Sequence, residues 1–221
     1  MRLFLIGCEY SGTTTLAVGI HKWALEGMGA DLGPIHDHWK IPDVVEHYPD
    51  SLSEEEHQHF LGLSTRLTES YMRHNLYYHT PHENAVEEDN LIIGYYIEDT
   101  IYARLYYNYG GPGQVGNREV HSKMIEEIVV NLAPQTVLVH VKAAPDVITQ
   151  RMKDDPHPYP VVQEEDIERV SRLFDAAFHA SKIPNKMEID TGTATPEESL
   201  AQFVTQMQSF LTDYDRERMA G

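Results

Sequence analysis

A chain of 221 residues, 41% of them apolar, is long enough to bury a sizeable core and too apolar to be disordered. Its 35 acidic residues against 17 basic ones give a formal charge of −18, which repels nucleic acid and anionic membranes. Nothing approaches 18 consecutive apolar residues, so no transmembrane helix is expected, and the single Cys8 excludes an internal disulfide and fits a reducing cytoplasm.

The first predicted element is a strand over Leu3 to Ile6, an apolar run short enough to be buried on both faces and too short for a secretory signal. Gly7 begins a turn, Gly12 follows after four residues, and Thr13 and Thr14 come next. From Thr13 to about Gly27, Leu16, Ile20, Trp23 and Ala24 recur at helical spacing. Strand, glycine-bounded loop and helix form the setting in which backbone N–H groups and a helix N-terminus converge on an anion. The phosphate-loop pattern G-x-x-x-x-G-K-[ST] is met at Gly7, Gly12 and Thr14, with Thr13 in the place of the lysine. Cys8 reads as a small residue tolerated in a tight turn, with a reactive thiol as the alternative.

Pro34 and Pro42 bracket a segment that disfavours regular structure but can lie at the mouth of a second strand. It carries Asp37 between His36 and His38. His-x-His can hold a metal on an extended segment, but no third ligand is evident, so packed or exposed histidines are expected. Ser53-Glu-Glu-Glu56 is a capping box opening a helix with Phe60, Leu63, Leu67 and Tyr71 in one stripe, which Gly62 weakens. Leu91 to Tyr96 reads as a buried strand, followed by Glu98, Asp99 and a helix through Tyr102, Leu105 and Tyr106. The tyrosines of this stretch are read as core, with base stacking as the alternative. Gly110 to Gly116 is a surface turn, Val120 to Leu132 a helix and Thr136 to Val141 a strand. Pro145 starts a helix to about Lys153, before a proline-rich stretch, Asp154 to Pro160, that reads as a mobile loop. Glu164 to Lys182 is a helix, Lys186 to Asp190 the last strand, and Thr195 caps a terminal helix with Pro196 in its first turn. Alternating strands and helices imply an α/β fold, a mostly parallel sheet covered on both faces, in a single domain over 1–221. Ligands of such sheets bind at the carboxyl ends of the strands.

This layout resembles the P-loop nucleotide kinases, in particular the thymidylate-kinase and deoxynucleoside-kinase group. Besides the loop, Leu91 to Tyr102 is similar to that group's strand ending in Asp-Arg-Tyr, Val137 to Lys153 to its strand and helix leading into the lid, and Ile189 to Gly192 to its last strand and base-proximal loop. The resemblance implies a three-layer P-loop NTPase fold with a small lid at about 151–163. It implies ATP and Mg²⁺ as cofactors, a nucleotide, nucleoside or other small acceptor as partner, and a possible homodimer. It implies nucleotide binding by Gly7, Cys8, Glu9, Tyr10, Ser11, Gly12, Thr13, Thr14, Thr15 and Lys153, and Mg²⁺ near Thr14, Glu98 and Asp99. Asp37 takes the place of the acidic base, and Arg151 that of a lid cation over the phosphates. For Asp37 a solvated loop carboxylate stands as the alternative, for Arg151 and Lys153 a solvated helix end, and for Glu98 and Asp99 an acidic helix start. Two departures are plain: Thr13 for the lysine, and Gly94-Tyr95 for the Asp-Arg pair. Ser11 to Thr14 is also similar to the Ser-Gly-Thr-Thr of sulfotransferases that use adenosine phosphosulfate donors, which need no lysine at that position. A nucleotide-binding protein without catalysis is the remaining alternative.

Overall fold

The computed structural model describes residues 1–42, 52–82 and 88–220. Among them, five strands form one all-parallel sheet: β1 (Arg2–Ile6), β2 (His36–Asp37), β3 (Asn90–Ile93), β4 (Val137–Lys142) and β5 (Asn185–Asp190), in the order β2-β3-β1-β4-β5. β1 lies at the centre, with Leu3 opposite both Leu91 and Val137. All five residues of β1 are buried, as expected for a strand covered on both faces.

Successive side chains of a strand point to opposite faces, and the core divides accordingly. Leu3, Leu5, Leu91, Ile93, Val139 and Val141 pack against α1 (Thr13–Met28) and α8 (Pro196–Met207) through Leu16, Ile20, Ala24 and Phe203. Phe4, Ile6, Ile92 and Leu138 face the other way, toward α3 (Thr65–Tyr78), α4 (Tyr95–Tyr106), α5 (Arg118–Leu132) and α7 (Ile167–Ala180). The remaining helices are α2 (Glu54–Leu61), α6 (Pro145–Asp154) and α9 (Asp213–Ala220).

The predicted elements are present, with four differences of physical origin. The stripe after Ser53 is broken: the capping box at Ser53 and Glu56 is formed, α2 ends at Leu61 with Gly62 as its C-cap, and α3 restarts after Ser64. The strand expected over 91–96 ends at Ile93. Gly94 turns the chain at φ 76°, and Tyr95 and Tyr96 open α4, buried in the core. The helix expected from Glu164 starts as a 3₁₀ turn over Glu164–Asp166. A further helix, α9, follows the one expected to be last. Its sequence has no apolar stripe, and Arg218 fastens it by donating to Asp89 at 2.6 Å.

Candidate functional site

The carboxyl ends of β1, β2, β3 and β5 surround a cavity of about 710 Å³. Its floor is the loop between β1 and α1, and Gly7 fits there because the chains approach closely. A Cβ at Gly7 would stand 2.3 Å from the Val141 carbonyl oxygen and 2.5 Å from Ser11 Oγ. No side chain caps α1, so the N–H groups of its first turn are left for a ligand. Gly12, Thr13, Thr14 and Thr15 line the cavity at this point, together with Gly7, Glu9 and Tyr10.

Neighbouring elements fix the loop. Ser11 N–H donates to the Cys8 carbonyl at 2.9 Å. Glu9 N–H donates to Tyr102 Oη at 3.1 Å, and Thr191 Oγ1 donates to the Ser11 carbonyl at 2.6 Å. Arg151, on α6, donates from Nη1 to the Tyr10 carbonyl and Thr191 Oγ1, both at 3.1 Å, and from Nη2 to the Thr191 carbonyl at 2.6 Å. Its guanidinium therefore lies beside the loop, on the cavity wall, and clamps the loop to the segment after β5. Lys153, two residues on, points elsewhere: Nζ pairs with Glu164 at 2.7 Å, and the residue is not among those lining the cavity. Burial pushes the Cys8 thiol up to about 12, so it is a packed, protonated side chain.

Carboxylates face the loop. Thr14 Oγ1 donates to Asp37 Oδ2 at 3.3 Å, across from α1 to β2. Glu98 is buried, lines the cavity, and its Oε2 has no hydrogen-bond partner. Burial, with the nearby charges of Asp37, Glu9 and Asp99, holds its carboxyl well above the usual range. A Cβ at Gly94 would stand 1.6 Å from Glu98 Oε2. The Glu98 carboxylate thus fills the space that a side chain at position 94 would enter, which explains why glycine stands there. Asp99 is turned away from the cavity. Its two oxygens accept from His38 Nε2 at 2.9 Å and Arg118 Nε at 2.8 Å. His36 and His38 are hydrogen-bonded to each other at 3.2 Å, so the His-x-His pair belongs to this buried network.

The segment between α6 and α7 covers the loop. Glu9 Oε2 accepts the N–H groups of Val161 and Val162 at 2.9 and 2.8 Å, and its Oε1 pairs with His157 Nδ1. Tyr10 stacks on the His157 ring at 4.1 Å, and its hydroxyl oxygen accepts the His157 backbone N–H. The hydrogen bond to Glu9 raises the His157 pKa above its ordinary value. Two loop residues expected to bind nucleotide, Glu9 and Tyr10, thus also hold this covering segment.

Neither a protein-family model nor a curated protein sequence matches the chain. Solved structures do. YorR protein from Bacillus subtilis, in complex with phosphorylated GDP, aligns with a TM-score of 0.56 at 16% identity over 96% of this chain and 99% of its own. Thymidylate kinase from Candida albicans aligns with 0.56 at 13% identity over 99% and 93%. Deoxyadenosine kinase from M. mycoides with bound dATP aligns with 0.54 at 13% identity over 94% and 100%. The chain has the P-loop kinase fold. At these identities the likeness concerns the fold, in which the loop from Gly7 to Thr14 follows the central strand.

Among the residues predicted for the site, Gly7, Glu9, Tyr10, Gly12, Thr13, Thr14, Thr15, Asp37, Glu98 and Arg151 meet at one cavity. Cys8 and Ser11 lie behind the loop, buried, while Lys153 and Asp99 have partners elsewhere. Sequence reasoning missed that Thr191 and Tyr102 shape the loop, whereas Lys40, a basic residue that could stand in for the absent lysine, does line the cavity. Thr191 follows directly on β5, and its place at a strand's carboxyl end is the signal that points to it.

Proposed function

We propose that the protein is an ATP-dependent kinase that phosphorylates a small, uncharged hydroxyl acceptor, of which a nucleoside is the leading example. The supporting observation is the pairing of an uncapped helix N-terminus behind the Gly7–Thr14 loop with the carboxylates of Asp37 and Glu98 across one cavity. The loop and the first turn of α1 would take the phosphates of ATP. Thr14 and Glu98 offer oxygen ligands suited to Mg²⁺, and the unpartnered buried Glu98 oxygen fits a group of that charge. When bound, Mg²⁺ supplies positive charge at the phosphate oxygens, which the missing lysine cannot. Arg151 adds a fixed cation beside the loop, Asp37 accepts the acceptor's hydroxyl proton, and the segment at about 151–163 serves as the lid that excludes water.

Charge supports an uncharged acceptor. The cavity is lined by Glu9, Asp37, Glu98, Asp154 and Asp155 against the two permanent cations Lys40 and Arg151. Arg151 is already engaged beside the loop, which leaves Lys40 for an acceptor phosphate. Such a field disfavours a second polyanion.

The test is transfer of label from γ-labelled ATP with Mg²⁺ to nucleosides and, separately, to nucleoside monophosphates. Transfer to nucleosides is expected, with Asp37→Asn lowering turnover about 10²- to 10⁴-fold while ATP still raises the melting temperature. Preferential binding of adenosine 3′,5′-bisphosphate would replace the kinase by a sulfotransferase. ATP binding without transfer to any acceptor would leave a non-catalytic nucleotide-binding protein.

A further inference from the structure

A second cluster of chemistry-bearing side chains lies on the sheet face covered by α7, toward the β5 edge. His140 on β4 and Glu188 on β5 are directly paired in register, so their side chains leave the same face of the sheet. Asp175 reaches them from α7. One nitrogen or oxygen from each of the three lies within 4.8 Å of the others. His140 is only 3% exposed, and its Nδ1 has no hydrogen-bond partner, with Glu188 Oε1 3.9 Å away. A buried ring nitrogen left without a partner is a specific anomaly. None of the three residues lines the cavity above the loop.

We propose that His140, Asp175 and Glu188 form a binding site for Zn²⁺, separate from the phosphate site and bridging β4, β5 and α7. The donor set is one imidazole nitrogen and two carboxylates. Imidazole favours zinc and its transition-metal neighbours over Mg²⁺ or Ca²⁺, which take oxygen ligands. Two carboxylates balance the ion's charge. The buried, unpartnered His140 Nδ1 is the nitrogen available to the ion. The carboxylates supply the adjustment needed to close on the ion, since Glu188 and Asp175 are 37% and 52% exposed at the side chain. Lys142 Nζ now holds Glu188 Oε2 at 2.9 Å. It is 40% exposed and can swing out when a cation takes its place. Water would complete the coordination. A metal here would staple the edge strand to the helix that descends from the covering segment.

The test uses the full chain, stripped with a chelator and titrated calorimetrically with zinc chloride. Excess Mg²⁺ keeps the oxygen ligands of the phosphate site occupied. Wild type is expected to take up one equivalent tightly and to melt at a higher temperature. Asp175→Asn and Glu188→Gln alter exposed carboxylates and preserve the fold, and each should weaken zinc by about tenfold or more, the scale reached even by outer-shell partners. Lys142→Ala frees Glu188 and should tighten it. Nitrogen NMR should show the His140 Nδ1 resonance moving on zinc addition. Absence of a tight equivalent overturns the site. So does zinc binding unchanged in the Asp175→Asn, Glu188→Gln double variant, which would assign the ion to other histidines, or a His140 resonance that zinc leaves in place.

Discussion

Glu98 is where the cost of the site is concentrated in one side chain. Its carboxyl is buried, one oxygen has no partner, and three neighbouring carboxylates raise its pKa further. The sign of the pH effect follows. Above the ordinary value of 4.5 the unfolded chain has lost this proton while the folded protein still holds it. Folding then takes up a proton, and stability falls as pH rises until the raised pKa is passed. Each pH unit within that window costs up to about 1.4 kcal/mol. Glu98→Gln removes the titration. The variant should match wild type near the lower bound and gain on it steadily as pH rises, read from urea midpoints at a series of pH values. A constant difference between the two across the series would mean that Glu98 is ionised throughout.

At the scale of elements, two sets of contacts tie helices and segments together. In the first, Arg118 of α5 donates to Asp99 of α4 and to Glu69 of α3, both at 2.8 Å, with Arg118 and Asp99 almost fully buried. Arg118→Met leaves Asp99 buried without its arginine, while Glu69 keeps Arg73 at 3.1 Å, and should destabilise the fold by about 3–5 kcal/mol in a urea melt. Removing a carboxylate as well, with Asp99→Asn, should recover part of the loss. In the second, His157 holds the covering segment to Glu9. Its raised pKa means that its contribution is complete below the ordinary value of 6.5 and is lost as pH rises through the folded value. Hydrogen exchange at Val161 and Val162, corrected for intrinsic rates, should therefore accelerate as pH rises above the ordinary value of 6.5 and through the raised folded value. His157→Ala should exchange faster and without that step. Neither set was legible in the sequence. Glu9 and His157 are 148 residues apart, and Arg118 and Glu69 49 apart, and no local pattern marks such pairings. What could be read was local or periodic: the apolar run of β1, the glycine spacing of the loop, the capping boxes at Ser53 and Thr195, and the stripes of α1 and α7. Glu98 lay between these classes. Its place after a strand was visible, but its position over Gly94 required the φ 76° turn that starts α4 one residue after the strand ends.

For the molecule as a whole, charge opposes the ligand proposed for the cavity. The chain carries −18, and Glu9, Asp37, Asp154 and Asp155 line the cavity beside the protonated Glu98, while a threonine stands at the lysine position of the phosphate-loop pattern. A phosphate loop attracts its anion over a few ångströms through N–H groups and a helix end, whereas net charge acts over the Debye length, about 30 Å at 0.01 M salt and about 8 Å at 0.15 M. Approach of ATP should then be slowed by the whole surface at low salt, and screening should relieve it. Association of a fluorescent ATP analogue, followed by stopped flow, is expected to speed up several-fold between these salt concentrations. A basic cleft gives the opposite result, since screening removes its attraction. Dissociation, governed by contacts inside the cavity, should change much less. If association instead slows as salt is added, the fields of Lys40 and Arg151 outweigh the remaining charge at the cavity mouth. Lys40→Ala would then reverse the salt dependence.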